Sequence, residues 1–165
     1  MRIRSAVPAD AAAVLAIQRE AAEERWSIAT QPEEVRGAEE EAARIAAWTP
    51  RTGTLLVAEA EGRVVGFVAV VRGGRASSAH VGDVGLTVAA SHRGRGVGRA
   101  LMLAAEDWAR KAGVERLTLT VFAHNERARR LYASLGYVEE GVRRAQHRLR
   151  GRDVDEVLMA KPLHP

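Results

Sequence analysis

The 165-residue sequence predicts an α/β domain with a mixed sheet and the element order β-α-α-β-β-β-α-β-α-β-β. Strands are indicated by alternation of apolar and polar residues, which is clearest from Arg116 to Val121. Helices are indicated by apolar residues at a spacing of three to four, which is clearest from Leu101 to Ala112. No repeat or low-complexity linker divides the chain, so residues 1–165 are predicted to form a single domain.

The first part of the chain predicts one strand and two helices. Met1 to Val7 alternates as a short strand, and Pro8 to Asp10 is a helix-start signal. The first helix is expected to reach about Glu24. A second helix is expected from Glu33 to Trp48, with an acidic side at 39–41 that should face solvent.

The remaining elements are each bounded by a turn residue or a loop. Glu61-Gly62 separates two β runs and predicts a tight hairpin, and Gly113 and Gly136 are placed to end helices. The predicted strands are Thr54–Ala60, Arg63–Val71, His80–Val88, Arg116–Val121, Tyr137–Arg144 and Asp153–Met159, and the last predicted helix is Glu126–Leu135.

Composition narrows the classes of function. The formal net charge is +4, but the basic residues are spread along the chain and are nearly all arginine, so nucleic acid binding is disfavoured. The absence of cysteine excludes a disulfide framework, a thiolate metal site and a cysteine nucleophile. No signal peptide or apolar run long enough to cross a membrane is present, so we expect a cytoplasmic protein without a membrane partner.

A glycine-rich loop joins the strand that ends at Val88 to the following helix. It has the sequence Arg93-Gly94-Arg95-Gly96-Val97-Gly98. The first turn of a helix carries backbone N–H groups without intrahelical partners, and the helix dipole adds positive charge there. Glycines let a ligand approach these groups closely, so the loop predicts a phosphate site.

Other phosphate-binding loops fit this sequence less well. A P-loop needs a Lys-Ser/Thr pair where Arg99-Ala100 stands, and no G-x-G-x-x-G dinucleotide fingerprint is present. The remaining pattern, R-x-x-G-x-G from Arg93, resembles the pyrophosphate loop of the GNAT acyltransferases. The segment from Asn125 to Tyr137 also resembles that family's N-x-x-A-x-x-L-Y-x-x-x-G-F/Y pattern. The resemblance implies a single-domain fold with a mixed, mostly antiparallel sheet flanked by helices.

The resemblance implies that acetyl-CoA is bound as a co-substrate. The pyrophosphate would contact main-chain groups of the loop, and the pantetheine arm would lie along the preceding strand like an added strand. Asn125 would contact the same arm, although an Asn at this position is also a good helix N-cap. The implied cofactor-binding residues are Leu86, Thr87, Val88, Arg93, Gly94, Arg95, Gly96, Val97, Gly98, Arg99 and Asn125.

The same resemblance implies three catalytic groups. The backbone N–H of Leu86 would polarise the thioester carbonyl, and Tyr132 would protonate or hydrogen-bond the leaving thiolate. Tyr132 could instead be a core aromatic residue. The base is expected to be Asp83, which stands where the phosphinothricin-type branch carries glutamate, with His80 or water as alternatives. No covalent nucleophile and no metal are expected, so the amine should attack directly in a ternary complex.

The acceptor is the least defined part of the prediction. Gly151, Asp155 and Met159 resemble a branch that acetylates L-amino acids, so a small-molecule amine is expected. Arg143 or Arg144 could neutralise a substrate carboxylate. The alternatives are a protein N-terminus or lysine as acceptor, and a non-catalytic acyl-CoA-binding or RNA-binding domain. The sequence does not decide the oligomeric state, and a homodimer is one possibility. Weak candidates for acceptor contact are Glu23, Glu24 and Trp26.

Overall fold

A computed structural model describes residues 1–24 and 26–163 of the chain. Within these ranges the predicted order of strands and helices is confirmed, with short 3-10 turns added between them. The elements are β1 (Arg2–Ser5), α1 (Ala11–Glu23), α2 (Ala38–Ala46), β2 (Gly53–Ala60), β3 (Arg63–Arg72), β4 (Val81–Val88), α3 (Val97–Lys111), β5 (Arg116–Phe122), α4 (Glu126–Ser134), β6 (Val138–Leu149) and β7 (Arg152–Pro162).

The seven strands form one sheet in the order β1-β2-β3-β4-β5-β7-β6. Neighbours are antiparallel except for β4 and β5, which confirms the predicted mixed, mostly antiparallel sheet. The parallel pairing of β4 with β5 covers only Val81↔Arg116 to Asp83↔Thr118. Both strands continue beyond that point, so a gap opens between them at the centre of the sheet.

The helices cover the two faces of the sheet and form two apolar clusters. The larger cluster includes Leu101 and Met102 of α3 with Leu117 and Leu119 of β5. A second cluster on the opposite face joins α1 and α2 to β2 and β3, and includes Phe67 of β3. The half of the sheet that contains the gap is thereby held between two anchored layers, so its shape is set by packing on both sides.

The predicted second helix was wrong in length and in one buried side chain. Its N-terminal part is a 3-10 turn at Pro32–Glu34, and α2 starts only after Gly37, which has an extended backbone. Glu41 was expected to face solvent but is 0% exposed, and its carboxylate pairs with Arg44. Periodicity alone could not show this, because the burial of the Glu41 carboxylate depends on its pairing with Arg44.

The β6–β7 hairpin is longer than predicted. The sequence predicted strands that end at Arg144 and begin at Asp153, whereas β6 reaches Leu149 and β7 begins at Arg152. Two register irregularities interrupt the pairing of these strands, at Glu139/Gly141 and at Arg143/His147. Ala145, within the second irregularity, has a positive φ of 48°. These irregularities break the apolar alternation along β6, which explains why its second half was missed.

The junction of β1 with α1 depends on Asp10. Its carboxylate accepts hydrogen bonds from Arg4 at 2.7 and 2.9 Å and from the Val7 amide at 2.8 Å. The Arg4 hydrogen bonds lower the pKa of Asp10. Stabilisation from a lowered carboxyl pKa is present above the unfolded-state pKa and is lost as pH falls through the folded-state value. We therefore expect Asp10→Asn to lower the free energy of unfolding by about 1–3 kcal/mol near neutral pH.

Urea unfolding near neutral pH and in acid measures this effect. The difference between Asp10→Asn and wild type should shrink in acid, where Asp10 of the wild type is also protonated. The matched control is Asp107→Asn, because Asp107 pairs with Lys111 on the exposed face of α3. Exposed pairs contribute about 0–1 kcal/mol. Equal effects of the two substitutions would contradict the role given to Asp10.

Candidate active site

The gap between β4 and β5 opens into a cleft of ≈ 730 Å³. Its central walls are the C-terminal halves of the two separated strands. The glycine-rich loop, α4, the α1–α2 segment at residues 26–30 and α2 also contribute lining residues. Lining residues include Asp83, Leu86, Thr87, Val88, Arg93, Gly94, Gly96, Gly98, Arg99, Asn125 and Tyr132, so most of the predicted site residues lie in one cleft.

The pairing of β3 with β4 determines where the backbone groups of β4 point. The Ala89 amide donates to the Val65 carbonyl at 3.0 Å, and hydrogen-bonded pairs recur at every second residue of an antiparallel ladder. The amides of Leu86 and Val88 therefore face the gap, where the pairing with β5 has already ended. The Val88 carbonyl also faces the gap, because it accepts from Arg93 Nε at 2.9 Å. This arrangement leaves the Leu86 amide available to a ligand.

The N-terminus of α3 faces the same cleft without a side-chain cap. Its first intrahelical backbone bond is from the Ala100 amide to the Gly96 carbonyl, at 3.0 Å. The three preceding helical amides, at residues 97–99, have no intrahelical acceptor. Gly94 and Gly96 have φ values of +75° and +81°, which favour glycine, and open space surrounds the position of a Cβ at Gly96. These features suit an anionic group such as a diphosphate.

The arginines of the loop differ in where their side chains go. Arg93 donates to Glu24 Oε1 at 2.7 Å in addition to its bond with Val88, so its guanidinium ties the loop to the end of α1. Arg99 donates to Ser134 of α4 at 3.2 Å. Arg95 does not line the cleft. Any contact of Arg95 with a cofactor would therefore depend on its backbone.

Arg127 is a basic residue of the site that sequence reasoning missed. It lines the cleft, and a methyl group at Gly94 would lie 3.8 Å from its Nη2 atom. Arg127 stands two residues after Asn125, inside the motif that was recognised, but the motif pattern specifies no residue there. The neighbouring Asn125 is a helix N-cap, since its Oδ1 accepts from the Ala128 amide at 3.2 Å. In the described part of the chain its side-chain amide nitrogen has no hydrogen-bond partner, so this nitrogen can contact a ligand.

Tyr132 lies on α4 with its ring buried and 7% of its surface exposed, and it lines the cleft. Its ring lies 6.0 Å from that of Tyr137, centroid to centroid. Burial raises the pKa of Tyr132 to about 12. The hydroxyl therefore stays protonated at neutral pH and can donate a hydrogen bond. Tyr132 is therefore a core residue that also lines the cleft, and its role as the acid stays a prediction.

Asp83 ends the parallel pairing and lies at the start of the gap. Loss of surrounding water raises the pKa of its carboxyl group, partly offset by a hydrogen bond from Thr118 Oγ1 at 3.1 Å. The charge of Glu156 raises the pKa further. A carboxylate whose pKa is raised toward the working pH is a better proton acceptor.

Glu156 of β7 is a second carboxylate in the cleft that sequence reasoning missed. It is 7% exposed, and it accepts hydrogen bonds from Arg143 at 2.8 Å and from His147 at 3.0 Å. Burial acts to raise its pKa, but hydrogen bonds from His147, Arg143 and Thr120 outweigh burial and lower it. It stands next to Asp155 in the sequence, so local pattern did not single it out. The carboxyl groups of Asp83 and Glu156 thus have opposite pKa shifts.

Several weaker sequence candidates lie outside the cleft. His80 is in the turn before β4, Glu23 is on an exposed face of α1, and neither lines the cleft. Arg143 and Arg144 are not among the lining residues either; Arg143 pairs with Glu156, which lines the cleft, and Arg144 pairs with Asp155. A contact of either arginine with a substrate carboxylate stays a prediction.

Glu24 and Trp26 do line the cleft. The ring of Trp26 stacks on that of His124 at 3.7 Å between centroids, and His124 Nε2 lies 2.9 Å from the Trp26 carbonyl. Arg150 Nη2 donates to the Glu24 carbonyl at 2.9 Å. These contacts hold the α1–α2 segment across the opening between the two strands.

The sequence model of the acetyltransferase (GNAT) family matches residues 12–137. This match covers most of the chain, including the loop, the gap and the Asn125 motif. The chain belongs to the GNAT family of acetyltransferases. The predicted family is therefore confirmed, and the cleft of this GNAT chain contains both motifs on which the prediction rested.

Three similar proteins place the GNAT chain among its relatives. It is 34% identical over 110 residues to the L-amino acid N-acetyltransferase AaaT of Escherichia coli, covering 64% of this chain and 66% of AaaT. A structure of yncA from Salmonella typhimurium with its cofactor acetyl-CoA has a TM-score of 0.92 at 25% identity, covering 100% and 95% of the two chains. A ribosomal-protein-alanine N-acetyltransferase from Brucella melitensis has a TM-score of 0.89 at 29% identity, covering 98% and 99%.

Among residues 1–24 and 26–163, no three His, Asp or Glu side chains are grouped so that they could hold a metal ion. In the same ranges, no helix has the length and apolar character needed to span a bilayer.

Proposed function

We propose that this GNAT chain transfers the acetyl group of acetyl-CoA to the primary amine of a small molecule, an amino acid or a related amine. The observation that carries the proposal is the gap between β4 and β5, which joins the uncapped N-terminus of α3 to two carboxylates and a protonated tyrosine. The L-amino acid acetyltransferase relative and the acetyl-CoA complex of a structural neighbour support it.

The backbone would hold acetyl-CoA and polarise its thioester. The amides of residues 97–99 and the guanidinium of Arg127 would receive the diphosphate, and the free edge of β4 would bind the pantetheine arm. The Leu86 amide would donate to the carbonyl oxygen as charge develops on it. A backbone donor of this kind can be worth about 3–4 kcal/mol in the transition state.

Two side chains would manage protons during the transfer. Asp83 would accept a proton from the ammonium group of the acceptor, since an alkyl amine with a pKa near 10 is only about 0.1% neutral at pH 7. The neutral amine attacks the carbonyl carbon, the C–S bond then breaks, and the second proton lost by the nitrogen passes to the departing CoA sulfur. With a pKa of about 12, Tyr132 would stabilise the leaving thiolate by hydrogen bonding. No covalent enzyme intermediate is needed, so transfer would occur in a ternary complex.

The proposal is tested by incubating the protein with acetyl-CoA and a panel of amino acids, polyamines and peptides. Release of the CoA thiol and the mass of the product report acetyl transfer. We expect turnover with at least one small amine. Binding of acetyl-CoA without turnover of any acceptor would instead support a non-catalytic acyl-CoA-binding domain.

Asp83→Asn is expected to lower kcat/KM by about 100-fold near neutral pH, since a positioned base contributes about 10²–10⁴-fold. The deficit should shrink as pH approaches the pKa of the amine, where the acceptor loses its proton without help. Because the pKa of Asp83 is raised, wild-type activity should fall with acidification at a higher pH than an ordinary Asp would give. Initial rates across pH measure both effects.

Thr118→Val is the matched variant for this prediction. It removes the hydrogen bond that lowers the pKa of Asp83, so the acidic limb of the pH profile should move to higher pH. A deficit of Asp83→Asn that does not vary with pH would remove Asp83 as the base.

A protein N-terminus is the second candidate acceptor, favoured by the similarity to a ribosomal-protein-alanine N-acetyltransferase. The peptides of the acceptor panel distinguish the two candidates.

A cytoplasmic location and a homodimer stay predictions from the sequence.

A further inference from the structure

We propose that Arg44 on α2 binds the carboxylate of the acceptor, which makes the acceptor an amino acid with a free carboxylate rather than a simple amine. This inference rests on the proposed acetyl transfer to a small amine. It assigns a substrate contact to a residue that neither the sequence motifs nor the family match singled out.

Arg44 is held in place by a buried carboxylate. Its Nε donates to Glu41 Oε2 at 2.9 Å and its Nη2 pairs with Glu41 Oε1, while Glu41 itself is 0% exposed. The guanidinium also stacks over the ring of Trp48, with Cζ 5.4 Å from the ring centroid. A buried ion pair adds little stability over apolar residues of similar size, so this arrangement serves better to orient Arg44 than to stabilise the fold.

The orientation leaves one edge of the guanidinium for a ligand. In the part of the chain that the structure describes, Arg44 Nη1 has no hydrogen-bond partner, and the side chain remains 32% exposed. Arg44 lines the cleft. An arginine held on one edge and stacked on an aromatic ring can bind a carboxylate with its other edge at little entropic cost.

Packing places Arg44 on the α2 side of the cleft. Its neighbours Ala42 and Ile45 on α2 belong to the apolar cluster that contains Phe67 of β3. Phe67 lines the cleft and pairs with Thr87 of β4, next to the Leu86 amide. Arg44 therefore lines the same cleft as the β4 backbone that would face the thioester.

The charges of the cleft suit a zwitterion. Asp83 and Glu156 place negative charge along β4 and β7, and Arg44 places a fixed positive charge on the α2 side. An amino acid could direct its ammonium group to Asp83 and its carboxylate to Arg44. Arg36 also lines the cleft, but its partner Glu40 is exposed, so the Arg36 side chain is not held by a buried group.

The test compares three L-amino acids with their amides: leucine, methionine and phenylalanine. The carboxamide group of the amide has the size of the carboxylate but no charge. For each pair, kcat/KM is measured by CoA release for wild type, Arg44→Met and Arg36→Met. The acid-to-amide ratio of each variant is divided by that of wild type, so the different amine pKa values of acid and amide cancel.

We expect Arg44→Met to lower the acid-to-amide ratio by about tenfold or more, as loss of a charged hydrogen bond should. Arg36→Met should leave the ratio within about threefold. Because Arg44→Met leaves Glu41 buried without a partner, Glu41→Met/Arg44→Met is measured beside it and should show the same loss of preference. Acetyl-CoA affinity and thermal unfolding confirm that each variant is folded.

Two results would overturn the inference while leaving acetyl transfer intact. These are an unchanged ratio in both Arg44 variants, and loss of preference in Arg36→Met instead. If wild type acetylates none of the small amines in the acceptor panel, the proposed function fails first and the role of Arg44 fails with it.

Discussion

Gly96→Glu should raise the dissociation constant of acetyl-CoA by at least about 100-fold. A side chain at Gly96 would project into open space at the uncapped N-terminus of α3, where no atom lies within 4 Å of the Cβ position. A carboxylate there would occupy the anion site and repel a diphosphate. Loss of two charged hydrogen bonds would cost about 3–6 kcal/mol, which corresponds to about 10²–10⁴-fold in affinity. Isothermal titration with acetyl-CoA measures the change.

Gly62→Glu is the matched control for this substitution. Gly62 lies in the β2–β3 turn with a φ of +73° and open space around its Cβ position, so backbone strain and added charge are the same as at Gly96. It does not line the cleft. Gly62→Glu should lose stability through strain of about 1–2 kcal/mol but keep its acetyl-CoA affinity. Gly96→Glu with near wild-type affinity would remove the loop from the cofactor site.

Tyr132→Phe should lower kcat by about 100-fold while changing acetyl-CoA affinity by less than about threefold. The substitution removes one hydroxyl and keeps the buried ring, so the packing of α4 on the sheet is preserved. Loss of a positioned proton or hydrogen-bond donor costs about 10²–10⁴-fold in rate. Because the pKa of Tyr132 is about 12, wild-type activity should show no loss from its ionisation in the neutral range. Steady-state rates and titration with acetyl-CoA separate kcat from binding.

Tyr137→Phe provides the control, because Tyr137 is buried next to Tyr132 but does not line the cleft. Its hydroxyl is buried without a hydrogen-bond partner in the described part of the chain. Removing that hydroxyl should leave kcat unchanged and should not reduce stability. If Tyr132→Phe retained full activity, or if both variants lost it equally, Tyr132 would have no specific role in the transfer.

The parts of the site that the sequence predicted are those encoded by contiguous residues. The strand, loop and helix from Val84 to Ala112 and the helix that starts at Asn125 each depend on local spacing, turn residues and caps. Such signals need only neighbours along the chain. The same locality explains the correct positions of the β2–β3 hairpin and of the helix ends at Gly113 and Gly136.

The parts that were missed depend on contacts between distant segments. Glu156 reaches the cleft because β7 is inserted between β5 and β6 in the sheet, an order that no local pattern states. Arg44 depends on the burial of Glu41, and the acidic run around Glu41 is locally indistinguishable from a solvated face. These positions follow from tertiary packing, so only the structure could assign them.

The most direct test of the central claim is a titration of the ¹⁵N-labelled protein with acetyl-CoA, in which backbone amide chemical shifts are followed by NMR. The claim is that the unpartnered amides at the start of α3 hold the diphosphate and that the Leu86 amide faces the thioester. It predicts that the largest shifts occur at Gly96, Val97, Gly98, Arg99 and Leu86. Unchanged amides at these positions, with the largest shifts elsewhere in the chain, would contradict it.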